Sequence, residues 1–209
     1  MDDLMGVVKE WNKYADTTGT NYSAWVLTPY YFNTSQTHDM YWIGFSSDFE
    51  EMAKSSESML TAKGIKINDK FNAVVPCDEH SLWGTELVRA PKTGGGDGYL
   101  TISDCTLSEG ATREAVLAAD EKWNAYLDQH SEVGGLYRWY PGTGVSSTEF
   151  TADFLLASTT DSLQSWGKAA ERNVNGGGNM VGMGLYGELM TCSDQRVYSA
   201  KNVRLSTPN

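Results

Sequence analysis

Few side chains in this 209-residue chain stand at spacings that could do chemistry. Cys77-Asp78-Glu79-His80 brings metal-ligand types together, but neighbours on an extended segment point to opposite faces, so one ion could not easily collect all four. There is no CxxC or HxxxH, so neither a metal site nor a cofactor is expected. His38 falls in a polar loop, and His130 falls at a helix C-terminus, where the dipole favours a partly positive imidazole. All three histidines read as structural. The glycine runs at 94–98 and 176–178 match neither GxxxxGK[ST] nor GxGxxG, and there is no GxSxG elbow, so nucleotide binding and serine-hydrolase chemistry have no support. Arg138 and Asp153 could oppose each other across a hairpin. They read either as a rim salt bridge worth under about 1 kcal/mol or as a polar anchor in an apolar cavity.

The aromatic load is high, with 7 Trp, 11 Tyr and 6 Phe. Such an excess without a catalytic constellation points to a pocket for a small apolar or aromatic molecule, set between a sheet and its helices. The candidate lining residues are Trp25, Trp42, Tyr137, Trp139 and Trp166, with Asn12 and Asn124 as polar members.

The elements that would hold them occur twice. Trp11-Asn12-Lys13-Tyr14 returns as Trp123-Asn124-Ala125-Tyr126, an offset of 123 − 11 = 112 that Pro29 and Pro141 share. Cys77 to Trp83 lines up with Cys192 to Tyr198, and Val88-Arg89 with Val203-Arg204, at 192 − 77 = 115. The slow drift is what single-residue loop insertions produce. Between the copies, residues 91–98 form a glycine-rich linker. The expected units are 1–90 and 99–209.

Each copy reads as helix, strand, strand, helix, strand. The second copy is preceded by an extra strand over 99–107. Its first helix, capped by Thr112, carries Val116, Ala119, Trp123, Tyr126 and Leu127 at helical period. The first copy places Leu4, Val7, Trp11, Tyr14 and Ala15 likewise. Strands are expected at 135–140, 150–158 and 182–190, with 197–205 a further extended piece. The runs Ser46-Ser47-Asp48 and Thr159-Thr160-Asp161 are expected to cap the second helices. The first copy has no counterpart of the strand at 99–107, which leaves an open sheet edge and a route to homo-oligomers.

Both faces of the strands are apolar. Trp25 and Leu27 alternate with Ala24 and Val26, and Tyr137 and Trp139 with Leu136 and Tyr140. Helices can cover one face, and a second sheet is the obvious cover for the other. At about 25 cal/mol per Å², a few hundred Å² there is worth several kcal/mol. This pattern, with Cys105-Thr106-Leu107-Ser108-Glu109-Gly110 entering the helix, resembles the dimeric α/β-barrel superfamily. The resemblance implies an α+β fold of two tandem ferredoxin-like units whose antiparallel sheets pack together as a pseudo-dimer. Members of that superfamily include cofactor-independent monooxygenases, haem-degrading enzymes and lactone isomerases. A cofactor-free oxygenase acting on an aromatic substrate is therefore the alternative to plain binding, and a self-associating structural module is a third reading.

The formal charge of −11 argues against nucleic acid and anionic membrane as partners. No apolar run approaches 18 residues, and the acidic N-terminus lacks a signal-like core. Three widely spaced cysteines make a disulfide framework unexpected and suggest a reducing, cytoplasmic setting.

Overall fold

Capping and alternation organise the chain locally. In the computed structural model, which describes residues 1–34 and 36–206, six helices and seven strands form an α+β fold. The first part of the chain gives α1 (Asp2–Thr18), β1 (Ser23–Tyr31), β2 (Tyr41–Phe45), α2 (Phe49–Ser58), α3 (Ala62–Val74) and β3 (Trp83–Arg89). The rest gives β4 (Gly98–Leu107), α4 (Arg113–Gln129), β5 (Leu136–Pro141), β6 (Phe154–Thr160), α5 (Leu163–Val174), α6 (Gly178–Tyr186) and β7 (Met190–Arg204). The hydrogen-bonded strand order is β2-β1-β7-β4-β6-β5-β3, and the pairs whose register is resolved are antiparallel. No helix among the described residues is long and apolar enough to cross a membrane.

Two compact units result. The first contains Met1–Leu27, Met40–His80 and the stretch from Lys201. The second contains Thr28–Asp39 and Ser81–Ala200. These limits differ from the expected 1–90 and 99–209 because the terminal strands cross over. β3 is hydrogen-bonded to β5 and so belongs to the second unit, while the end of the 15-residue β7 belongs to the first.

In the first unit, α1 turns Leu4, Val8, Trp11, Tyr14 and Ala15 onto Ala24 and Val26 of β1, Ile67 of α3 and Val203. Trp11 meets Trp42 and Phe71 edge-on, at 5.3 and 6.5 Å. Gly44 leaves room for the Tyr22 ring, whose hydroxyl accepts from Trp42 Nε1 at 3.0 Å. In the second unit, Cys105, Val116, Phe154 and Met190 form a core on the helix side of the sheet. On the opposite face Leu100, Ile102, Trp139, Ala157 and Tyr198 are also buried.

One arrangement recurs. Asn12 donates from Nδ2 to the Val203 carbonyl at 2.7 Å, and Asn124 donates to the Val88 carbonyl at 2.9 Å. Arg204 reaches Asp16 at 2.8 Å and the Asn12 carbonyl at 3.4 Å. Arg89 reaches Asp128 at 2.7 Å and the Asn124 carbonyl at 3.4 Å. Each Asn-Arg set fastens a strand to a helix from the other half of the chain, β7 to α1 and β3 to α4.

Several expectations need correction. Residues 182–190 are not a strand: 178–186 form α6, and β7 starts only at Met190. Tyr186 of this helix meets the Trp123 ring of α4 edge-on, at 6.5 Å. The strand expected from 150 begins at Phe154, and Ser162 rather than the 159–161 run caps α5, by accepting from Ser165 N. Thr112 and Asp48 cap α4 and α2 as expected. Cys105 and Cys192 stand directly opposite in the β4–β7 ladder and form a disulfide; Cys77 is free and exposed. The ground for expecting a reducing, cytoplasmic setting is thereby removed.

Two outcomes are expected. Asn12→Ala and Asn124→Ala should each lower the urea-derived unfolding free energy by about 1–2 kcal/mol, since each strands a carbonyl. Their effects should be additive, because the two sets share no partner. Reduction, or Cys105→Ser with Cys192→Ser, should cost up to about 4.5 kcal/mol by the chain-entropy relation for a link spanning 87 residues. An unchanged melting temperature in dithiothreitol would contradict the bond.

Candidate functional site

The site starts from two periodicities. On β5, alternation puts Leu136, Arg138 and Tyr140 on the helix side of the sheet. Glu86 of β3 and Leu156 of β6 flank Arg138 in register. On α4, Arg113, Val116, Leu117 and Asp120 recur at the 3.6-residue period and share one face. That face lies over the β5 residues, and between them is a cavity of about 220 Å³. Leu107, Val116, Leu117 and Phe154 form its apolar wall, while Glu86, Thr112, Arg113, Arg138 and Tyr140 supply the polar groups.

Arg138 organises the polar groups. Its side chain is 2% exposed and grips Asp120 with two parallel bonds, at 2.9 and 2.6 Å. It also donates to Glu86 at 3.3 Å, and its guanidinium sits 5.7 Å from the Phe154 ring centre. Its Nε has no hydrogen-bond partner. Burial works to lower the Arg138 pKa, but the Asp120 carboxylate outweighs it and the net shift is upward. Asp120 also accepts from the Tyr186 hydroxyl at 2.8 Å; burial, then the Asp120 charge, push that phenol far above its ordinary range. Glu86 accepts from the Tyr140 hydroxyl at 2.9 Å and from Arg113 at 2.8 Å. Burial raises the Glu86 pKa, yet the Tyr140 bond and the two arginines prevail and hold it below its usual value.

At the 112-residue offset, the positions of Asp120 and Arg138 are occupied in the first unit by Val8 and Val26. Both valines are buried in an ordinary apolar core. A buried ion pair standing where two valines pack elsewhere is a poor device for stability, because desolvating two charges offsets their attraction.

None of the residues expected to line a pocket lines this cavity. Trp42 belongs to the first unit's core. Trp25 lies on the other face of β1, its ring 5.9 Å from Phe45. Tyr137 and Trp139 point away from Arg138 on β5, and Trp166 of α5 lies 5.1 Å from Tyr31. Asn12 and Asn124 are spent on strand carbonyls. The Arg138–Asp153 pair does not form: the β5–β6 register sets Leu156 opposite Arg138, and Asp153 instead accepts from Leu107 N at 2.7 Å. Glu86, Arg113, Asp120 and Tyr140 were missed. The spacing 113, 116, 117, 120 was visible, but nothing in the sequence showed that β3 would pair with β5. His38 lies in a loop beside Thr37, His80 is exposed, and His130 ends α4 with its ring 4.4 Å from Tyr126. Among the described residues, no three His, Cys, Asp or Glu side chains are grouped to hold a metal ion.

No family model, curated protein or solved structure matches the chain.

The depressed Glu86 carboxyl stabilises the fold above about pH 4.5, its ordinary value, and that contribution is lost as pH falls through the folded value. Unfolding measured between about pH 6 and pH 3 should therefore show a shallower acid decline for Glu86→Gln than for wild type. Equal slopes would mean that Glu86 gains nothing from its three partners.

Proposed function

We propose that the chain binds a small apolar or aromatic molecule in the cavity between the sheet of the second unit and α4. The observation that carries this reading is the exchange of a Val8–Val26 type of contact for the buried Asp120–Arg138 pair. Where stability alone is needed, the molecule uses valines. Where it holds a charged pair, an apolar cavity with converging polar groups lies beside it, which is the usual make-up of a ligand site. An apolar cavity of about 150 Å³ holds benzene, so about 220 Å³ suits one ring with short substituents.

The reading extends to ancestry. The second unit's order β7-β4-β6-β5 and its succession β4-α4-β5-β6-α5-α6-β7 support a ferredoxin-like unit elaborated by one helix. The recurring Asn-Arg sets support a duplication with copies at 1–90 and 99–209. An oxygenase activity draws only on the resemblance. Self-association draws on β2, which ends the strand order and has no outer partner among the described residues.

Native mass spectrometry of freshly purified protein should show a small bound molecule, and Leu117→Trp, which places an indole in the cavity, should release it while leaving the circular dichroism unchanged. A wild-type spectrum free of adducts, together with no heat of binding for any single-ring compound, would remove the proposal.

A further inference from the structure

We infer that the preferred ligand of this cavity is a compact aromatic or aliphatic carboxylate, with its apolar body against Val116, Leu117 and Phe154 and its anion at the N-terminus of α4. The inference rests on the proposed function and goes further by fixing the chemical class. Three independent features support it.

The first is the state of the charged groups at the cavity. Glu86 already receives donors from Tyr140, Arg138 and Arg113, so an arriving cation would have to displace one of them. Arg113 is in the opposite position. Its side chain is 67% exposed and spends one hydrogen bond on Glu86, leaving a second edge of the guanidinium for a carboxylate.

The second is the helix itself. α4 has 17 residues and begins at the cavity rim, where Thr112 is its cap. Thr112 Oγ1 accepts from Ala115 N, which leaves the hydroxyl hydrogen free to donate outward. The amides of Arg113 and Glu114 have no acceptor within the helix, and the macrodipole adds positive potential there. The carboxylate of Glu114 in the same turn opposes an anion, so Arg113 is the group that decides the preference.

The third is Arg138. It lines the cavity from below, and with Arg113 it balances the carboxylates of Asp120 and Glu86, so these four groups present no net negative charge to repel an anion.

The test is calorimetric titration of the whole chain with three single-ring probes: benzoate, benzyl alcohol and benzylamine. Benzoate should bind about tenfold more tightly than benzyl alcohol, the scale of one charge-assisted hydrogen bond at an accessible rim, and benzylamine should bind more weakly than either. In Arg113→Met the benzoate advantage should vanish while benzyl alcohol keeps its affinity, and Arg113→Lys should retain part of the advantage. Leu117→Trp should abolish binding of all three. Equal binding of benzoate and benzyl alcohol by the wild type, or an undiminished benzoate preference in Arg113→Met, would overturn the ligand class and leave the cavity as a binding site. Absence of binding by every probe, or binding that survives Leu117→Trp, would overturn both the ligand class and the cavity reading.

Discussion

The Asn-Arg clamp is the interaction on which the rest of this fold depends. A strand that pairs with distant parts of the chain, as β3 and β7 do, depends on them for its backbone partners. Ladder bonds satisfy its edges, but a carbonyl such as that of Val88 or Val203 needs a further donor. Asn124 and Asn12 supply it. The neighbouring arginines, Arg89 and Arg204, lay their guanidiniums under the end of the helix and bind its carbonyl oxygens and its Asp. Arg204 also sits 5.7 Å from the Trp11 ring centre, which explains why Trp and Asn are adjacent in the helix: one receives the guanidinium's face, the other secures the strand that carries it.

The clamp has a consequence for the cavity. Glu86 sits three residues before Arg89 on β3, and it faces Arg138 only because β3 is held against β5. Without that strand, Arg138 would keep Asp120 but lose its second carboxylate, Tyr140 would lose its acceptor, and Arg113 would have no partner. The polar groups thus come from β3 in the first half of the chain and from α4 and β5 in the second, although all lie within one compact unit. A buried arginine needs such over-determination, since a guanidinium taken out of water is tolerated only when paired and hydrogen-bonded.

Much of the fold was legible because period and capping are local. The α1 pattern was nearly right: Leu4, Trp11, Tyr14 and Ala15 are buried as expected, but Val8 is buried in place of Val7, about 100° around the helix. Asn12 and Asn124 were visible as a repeated residue lacking a packing explanation, and their role is the strand carbonyl. What failed was non-local. The β5–β6 register depended on how the chain between Pro141 and Phe154 folds, and a different turn moved Asp153 away from Arg138. The α6 sequence, Gly-Asn-Met-Val-Gly-Met-Gly-Leu-Tyr, is rich in glycine, a poor helix former, and carries no side-chain cap to mark its start. The disulfide could not be read from spacing because Cys105 and Cys192 are 87 residues apart and meet only once β4 and β7 pair. The repeat sets Cys77 level with Cys192, but the first unit has no counterpart of β4 to carry its partner.

The two units share the clamp and differ in their interiors. The first unit packs Leu4, Val8, Val26 and Trp42 between its helix and its sheet. The second packs Val116 and Phe154 with Cys105 and Met190, and sets the Asp120–Arg138 pair where the first has Val8 and Val26. A charged pair at the expense of two valines costs desolvation that the pair's own attraction only partly offsets. What keeps the pair in place is the number of its partners: Asp120 also accepts from Tyr186, and Arg138 also donates to Glu86.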